Sequence, residues 1–184
     1  MIVLKTDCTM EASILHFGLI SESAVLVIMI VACLATYNKI VMLDINHHPI
    51  SKLDDLLLMV CVPSFFIFGM MSIGGTCVMM HQELDIMVTT GSLTILTNLL
   101  TLLQVMIQTP LIVDGLRRCS SSERTDAKLG KELLMFLIMA NLVVYIYETL
   151  MLKTNVYSTE LDFFGYAAWT LLSHMTLPLC IFYR

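Results

Sequence analysis

Apolar and polar positions follow one another in long blocks, and the apolar blocks are too long for a soluble fold. Five mostly apolar segments cover about residues 12–36, 55–80, 86–114, 132–152 and 162–183. Because about 20 apolar residues cross a hydrocarbon core as a helix, each segment predicts one transmembrane helix. The pattern therefore predicts an all-α fold, a polytopic membrane helix bundle with a transmembrane domain over residues 12–184.

Composition agrees with this fold class and narrows the function. Of the 184 residues, 58% are hydrophobic and 14% are charged, which is unusual for a soluble domain. A net charge of −5 without a basic, aromatic-rich run argues against a nucleic-acid partner. The six cysteines show no metal-ligand spacing, so we expect no metal and no cofactor. No His-Glu-x-x-His or Gly-x-Ser-x-Gly motif occurs, and the chain is not expected to be an enzyme.

Charge predicts the orientation of the bundle. Eight basic residues lie on one side of the predicted helices: Lys39, Lys52, Arg117, Arg118, Arg124, Lys128, Lys131 and Arg184. The other side has only Lys5 and Lys153. By the positive-inside rule, the C-terminus is predicted to be cytosolic and residues 1–11 to be an extracellular segment. A chain that starts outside without a signal peptide is expected to be a fragment or short isoform of a longer protein.

Polar side chains follow one face of the third apolar segment. They recur at intervals of three and four residues, which is the helical period: Thr90, Thr94, Thr97, Thr101, Gln104 and Gln108. Buried amides in a membrane need partners or water, so this face is predicted to point into the bundle. Two interpretations stay open. The stripe either lines a hydrated path, or its threonines return their hydroxyls to backbone carbonyls and hold helices together.

Distance along the helices predicts a shared polar layer near mid-membrane. Gln108, Asn141 and His174 each lie nine or ten residues from a basic residue at the predicted cytosolic end of their segment. At 1.5 Å per residue, all three are expected roughly 14–15 Å from that boundary. The hypothesis is a hydrogen-bonded constriction, and the alternative is ordinary interhelical packing.

Two carboxylates and a histidine lie nearer the predicted outer side. Glu22 is expected about 25 Å from the cytosolic boundary, at the height of Thr101, where it is either protonated or paired. Glu148, one turn from the outer boundary, is predicted to extend its carboxylate towards that surface. His81 is a candidate sensor of external acid, because imidazole titrates near pH 6.5, although a solvated histidine is equally expected there.

Several motifs resemble the otopetrin proton channels. The resemblance is carried by Asp162–Trp169 and Leu177–Arg184 in the last segment, by Gln108–Ile112, Gly115–Cys119 and Phe136–Asn141, and more weakly by Ser21–Ala24. It implies five of the six helices of that family's C-terminal half-barrel. Family members are dimers of twelve-helix subunits that admit protons when the outside is acid.

The resemblance also assigns roles to residues. An amide pair from the tenth and twelfth helices constricts this half of the family fold, and an outer histidine precedes the tenth helix. Gln108 and His81 match those places, and Glu22 matches a carboxylate of the eighth helix. His174 stands where vertebrate members usually have Asn, which would make the second partner titratable.

These observations predict a proton-selective channel in the plasma membrane, or a fragment of one. External acid would act at His81, and protons would pass Glu22 and Thr101 before they cross the layer of Gln108, Asn141 and His174. The expected partners are protons, membrane lipids, and either a second copy or a longer otopetrin chain. The alternative is a non-conducting membrane subunit or truncated isoform that associates with a full-length channel.

Overall fold

The computed structural model describes residues 2–41, 44–45, 52–81, 85–116, 118–119, 125–153 and 163–184. These residues form five long helices: α1 (Ile2–Ile40), α2 (Lys52–Met80), α3 (Asp85–Leu116), α4 (Thr125–Lys153) and α5 (Tyr166–Tyr183). A short antiparallel pairing joins β1 (Asp44–Ile45) to β2 (Arg118–Cys119), between the connections that follow α1 and α3. The prediction of an all-α helix bundle is confirmed.

Four helices contain segments long and apolar enough to cross a membrane. Among the described residues these segments are Ser13–Ile40, Leu56–Met80, Val88–Gly115 and Lys131–Leu150, which match the first four predicted spans. The fifth predicted span corresponds to α5, whose role as a spanning helix stays a prediction. Helix α1 begins at Ile2, so the predicted segment 1–11 is largely a continuation of α1. Its side of the membrane stays a prediction.

Helix α3 lies at the centre of the bundle. It packs against α1 and α2, while α4 packs on α1 and α5 packs on α2. Two apolar clusters flank it. One joins α1, α3 and α4 through Met29, Ala32, Cys33, Ile40, Leu111, Leu137 and Val144. The other joins α2, α3 and α5 through Cys61, Phe65, Leu102, Val105, Cys180 and Tyr183. The polar face of α3 is thus enclosed by apolar packing on both sides.

The start of α5 is set by a glycine. Gly165 has a φ angle of 77°, a left-handed conformation that side chains with a Cβ adopt only with strain. The N–H of Trp169 donates to the Gly165 carbonyl at 3.1 Å and closes the first turn. The Trp169 ring lies 5.6 Å from the ring of Phe68, measured between centroids, which fixes α5 against α2.

The end of α5 lies inside the bundle. The hydroxyls of Tyr183 and Thr109 are 2.9 Å apart, and they donate to the Val105 carbonyl at 3.2 Å and 2.7 Å respectively. Thr109 is seven residues before Leu116, where α3 ends, a distance of roughly 10 Å along the axis. Arg184 was predicted to mark the cytosolic boundary. It follows Tyr183, which lies beside Thr109, so the end of α5 is roughly 10 Å short of the level at which α3 ends.

Candidate functional site

A polar seam joins α1 to the upper half of the α3 stripe. His16 Nε2 lies 2.5 Å from Thr90 Oγ1, and Ser23 Oγ lies 2.9 Å from Thr97 Oγ1. Both pairs are separated by 74 residues in sequence, so α1 and α3 run parallel here with one constant register. The face of α3 predicted from its spacing therefore points into the bundle at these positions.

The threonine hydroxyls also serve the backbone of their own helix. Thr94 donates to the Thr90 carbonyl at 3.0 Å, and Thr97 donates to the Leu93 carbonyl at 2.9 Å. This is the local hydrogen bond typical of helical threonine. Thr97 satisfies both interpretations of the stripe, because its oxygen also lies within hydrogen-bond distance of Ser23 on α1.

A cavity opens beside the next turn of α3, and all five helices line it. Its lining residues are Glu22, Phe65, Phe68, Gly69, Thr97, Asn98, Thr101, Leu102, Glu148, Leu177 and Cys180. Its volume of about 60 Å³ exceeds what a single water molecule requires. The sequence analysis predicted that Glu22 and Thr101 share one height, and the structure places both on this cavity.

An ion pair from two further helices borders the same space. Arg184 Nη2 on the last residue lies 2.9 Å from Glu148 Oε1 on α4. The Arg184 side chain is 1% exposed and that of Glu148 is 21% exposed. The guanidinium also lies over the Phe65 ring, 5.6 Å from its centroid, in a cation–π arrangement. The prediction that Glu148 extends towards the outer surface was wrong, because a buried cation from α5 holds it inside.

Three amides form a compact layer on the lower half of the stripe. Gln104 and Asn141 both donate to Oε1 of Gln108, Asn141 at 3.2 Å, and Asn141 also donates to the Leu137 carbonyl at 2.9 Å. Gln104, Asn141 and Gln108 are 0%, 3% and 6% exposed, respectively. The structure thus brings two of the three predicted layer residues together and adds Gln104. We call these three residues the amide layer.

The amide layer keeps two acceptors unused. Gln104 Oε1 and Asn141 Oδ1 are buried and have no hydrogen-bond partner among the described residues. A buried amide oxygen without a partner is costly, so such positions commonly bind ordered water. The layer can therefore accept hydrogen bonds from water at one oxygen on α3 and at one oxygen on α4.

His174 is not part of this layer. It is exposed on α5, and no hydrogen bond joins it to Gln108 or Asn141 within the described part of the chain. The reason is the register of α5. Tyr183 lies beside Thr109, the residue that follows Gln108. His174 is nine residues earlier on α5, so it lies roughly 14 Å along the helix from the level of Thr109, towards the other end of the bundle.

His81 lies in the turn after α2. Its side chain is exposed, and its backbone N–H donates to the Val78 carbonyl at 3.2 Å. This placement suits a solvated histidine at a helix end and is compatible with a sensor at the surface. Glu83 and Asp85, the carboxylates nearest to His81 in sequence, have side chains outside the described residues.

The sequence contains signals for two further residues of the polar interior, Glu148 and His16, that were not used in the prediction of the site. Glu148 lies 17 residues after Lys131, the same distance that separates Glu22 from Lys39, so the same counting would have placed both carboxylates in one layer. His16 lies seven residues before Ser23, on the same helical face.

Arg184 had no such signal. Its position depends on how far α5 descends, and that is set by contacts with α3.

These features define a class of protein. Long apolar helices enclose hydroxyl, ionisable and amide side chains at successive levels, which is the organisation of a polytopic membrane protein with a polar interior.

The family profile described as otopetrin matches residues 1–184, and the chain belongs to the otopetrin family. The protein named "Proton channel OtopLc" from Drosophila melanogaster is 29% identical over 135 residues. The alignment covers 72% of this chain and 8% of that protein, so the chain spans a small part of its relative. No significant match exists among solved structures. The resemblance inferred from the sequence motifs is confirmed.

Proposed function

We propose that this chain forms a proton-selective pathway, or part of one, that conducts protons into the cell when the outside becomes acid. Family membership and the name of the Drosophila relative support protons as the transported species. The polar line inside the bundle supplies groups along which a proton can move. The proposed location is the plasma membrane, with several spans and a cytosolic C-terminus.

Basic residues support this orientation. Arg184 lies inside the bundle and no longer counts towards the charge of a loop. Seven of the eight basic residues on the proposed cytosolic side remain, against Lys5 and Lys153 on the other. The positive-inside rule therefore still favours a path that starts near His16 and His81 and ends beyond Gln108.

Hydroxyls and carboxylates form the proposed outer half of the path. The pair of His16 and Thr90 leads to the pair of Ser23 and Thr97, and Thr97 lines the cavity together with Glu22 and Thr101. Water in that cavity would connect these groups, since a proton needs only a chain of hydrogen bonds. External acid would act at the exposed His81, the predicted sensor.

The amide layer is the proposed barrier to other ions. Its side chains are neutral and almost fully buried, so a hydrated cation meets neither space nor compensating charge. A proton can cross, because the unused oxygens of Gln104 and Asn141 accept hydrogen bonds from water. This pair of buried, unused acceptors in a packed layer is the observation on which the proposal chiefly rests. His174 has no place in this layer.

A non-conducting subunit is the second candidate. The backbone hydrogen bonds of Thr94 and Thr97 favour it, because they are what purely structural threonines make. In that case the chain would act only together with a second copy or a longer otopetrin chain.

Reconstitution separates the two functions. The purified chain is placed in liposomes that contain a pH-sensitive dye, and an inward proton gradient is applied with and without a longer family member. Dye acidification by the chain alone, blocked in the Gln108→Leu variant, supports conduction. Acidification only with the longer chain supports the subunit function, and no effect in either case contradicts both.

A further inference from the structure

Three ionisable side chains from three helices surround the central cavity. Glu22 on α1 and Glu148 on α4 both line it, and Arg184 from α5 binds Glu148 directly. With both carboxylates ionised, the set carries two negative charges and one positive charge. It therefore has one uncompensated negative charge in the interior of a membrane bundle.

The geometry lets the guanidinium serve both carboxylates. Arg184 uses Nη2 for Glu148, while its Nε and Nη1 are buried without a hydrogen-bond partner among the described residues. Glu22 lines the same cavity as Glu148, the carboxylate that Arg184 binds. Because guanidinium presents its donors in a fixed fork, the N–H groups on these two unused nitrogens are suited to a second acceptor, either Glu22 or a water molecule bound to it.

The other residues that line the cavity are uncharged in their ordinary forms. Among the described residues, the titratable groups that act electrostatically on the set are Tyr147 from α4, and Cys180 and Tyr183 from α5, all neutral in their ordinary forms. Helix α3 contributes only uncharged side chains to the cavity: Thr97, Asn98, Thr101 and Leu102. The excess negative charge thus needs a ligand.

We infer that Glu22, Glu148 and Arg184 form a binding site for a single proton, which the two carboxylates share across the cavity. A buried charge without a partner is costly even after relaxation, and one bound proton makes these three side chains neutral in sum. The second carboxylate stays ionised and keeps Arg184 paired.

The transfer step is simple. A protonated water in the cavity gives its proton to a carboxylate oxygen, an O–H bond forms there, and the water is left neutral. Release reverses the step towards a water on the side of the amide layer. This inference deepens the proposed function and rests on it for the transport role, whereas the existence of the site can be measured without any flux.

Infrared difference spectroscopy of the full chain in lipid tests the site. The C=O stretch of a protonated carboxylic acid is recorded while the solution changes from mildly alkaline to mildly acid. In the unaltered chain we expect uptake equal to one protonated carboxyl. Glu148→Gln and Glu22→Gln should each lose this band, because the remaining carboxylate and Arg184 then neutralise each other.

The sharpest variant is Arg184→Gln, for which the band area should double because both carboxylates must be neutralised. Arg184→Lys keeps the charge and should keep one proton. Glu132→Gln, which changes an exposed carboxylate at the start of α4, is the matched control and should leave the cavity signal unchanged. Circular dichroism on each variant confirms that the helices are retained.

Other results overturn the inference. A band that Arg184→Gln leaves at its original area shows that the guanidinium does not set the proton count. If the C=O band of the protonated carboxyl disappears when sodium replaces potassium in the buffer, the cavity binds a metal cation instead of a proton. If the proton count is as expected but liposomes show no flux, the site stands and the proposed transport function fails.

Discussion

Two polar regions lie in the interior of this bundle, and they are built in opposite ways. The cavity at Thr101 is bordered by three ionisable side chains and leaves space for water. The amide layer at Gln108 is neutral and packed, with its three side chains hydrogen-bonded to one another. Seven residues separate the two regions on α3 and on α4, roughly 10 Å along the axis.

The difference indicates that the two regions are suited to different tasks, ion binding in the cavity and ion exclusion in the amide layer. Charges in a membrane interior are tolerable when they compensate one another and can be hydrated, so the cavity suits binding of an ion. Neutral amides cost less to bury and leave little room, so the layer suits exclusion of ions.

The largest expected effect on stability comes from the charged region. Arg184→Gln leaves two carboxylates without a cation and should lower the free energy of unfolding by about 3 kcal/mol in mildly alkaline solution. The loss should shrink as the pH falls, because protonated carboxyls need no cation. Thermal unfolding in detergent at two pH values measures this. Lys131→Gln, at an exposed position, should change stability little at either pH, and a pH-independent loss for Arg184→Gln would contradict the charge argument.

The amide layer should respond to partner loss rather than to charge loss. Gln108→Leu removes the common acceptor of Gln104 and Asn141, and should cost about 2 kcal/mol because two buried amide groups lose their partner. The triple replacement of Gln104, Gln108 and Asn141 by Leu leaves no orphaned amide, so it should unfold no more easily than the single variant. Unfolding in detergent compares them. A triple variant far less stable than Gln108→Leu would show that the amides contribute net stability.

Tyr183 connects α5 to α3 beside both regions. Tyr183→Phe removes a hydroxyl that reaches Thr109 and the Val105 carbonyl, while Thr109 keeps its own bond to that carbonyl. The expected cost is about 1 kcal/mol, typical of one net hydrogen bond. Tyr166→Phe, on an exposed residue of the same helix, is the control and should have no measurable effect. Equal stability of both variants would mean that the α5 register does not depend on this contact.

The smallest effect is expected at His174. His174→Leu changes an exposed side chain away from the amide layer and should alter stability by less than about 0.5 kcal/mol. It should also leave proton flux and its pH dependence unchanged. A strong effect on flux would restore the imidazole to the pathway and would require α5 to adopt another register.

The sequence predicted the helices and the direction of the α3 stripe because both depend on local periodicity. Intervals of three and four residues place Thr90 and Gln108 on one face in any helix, and the structure points that face inward. Counting residues from the basic side chains correctly placed Gln108 and Asn141 at one depth, because α3 and α4 both extend as far as the ends that the counting assumed.

The same counting failed for His174, since it assumed that Arg184 marks a membrane boundary. How far α5 descends is decided by tertiary contacts, the hydroxyl pair of Tyr183 and Thr109 and the ion pair of Arg184 with Glu148. No local pattern encodes such a register. For this reason the charged set around the cavity, which depends on the last residue of α5, was not predictable from periodicity alone.

Proton flux through the amide layer tests the central claim most directly. Flux is measured with a pH-sensitive dye in liposomes for the unaltered chain, for the triple variant with Leu at Gln104, Gln108 and Asn141, and for His174→Leu. The account predicts that the triple variant falls to the level of protein-free liposomes while His174→Leu matches the unaltered chain. Undiminished flux in the folded triple variant would contradict it.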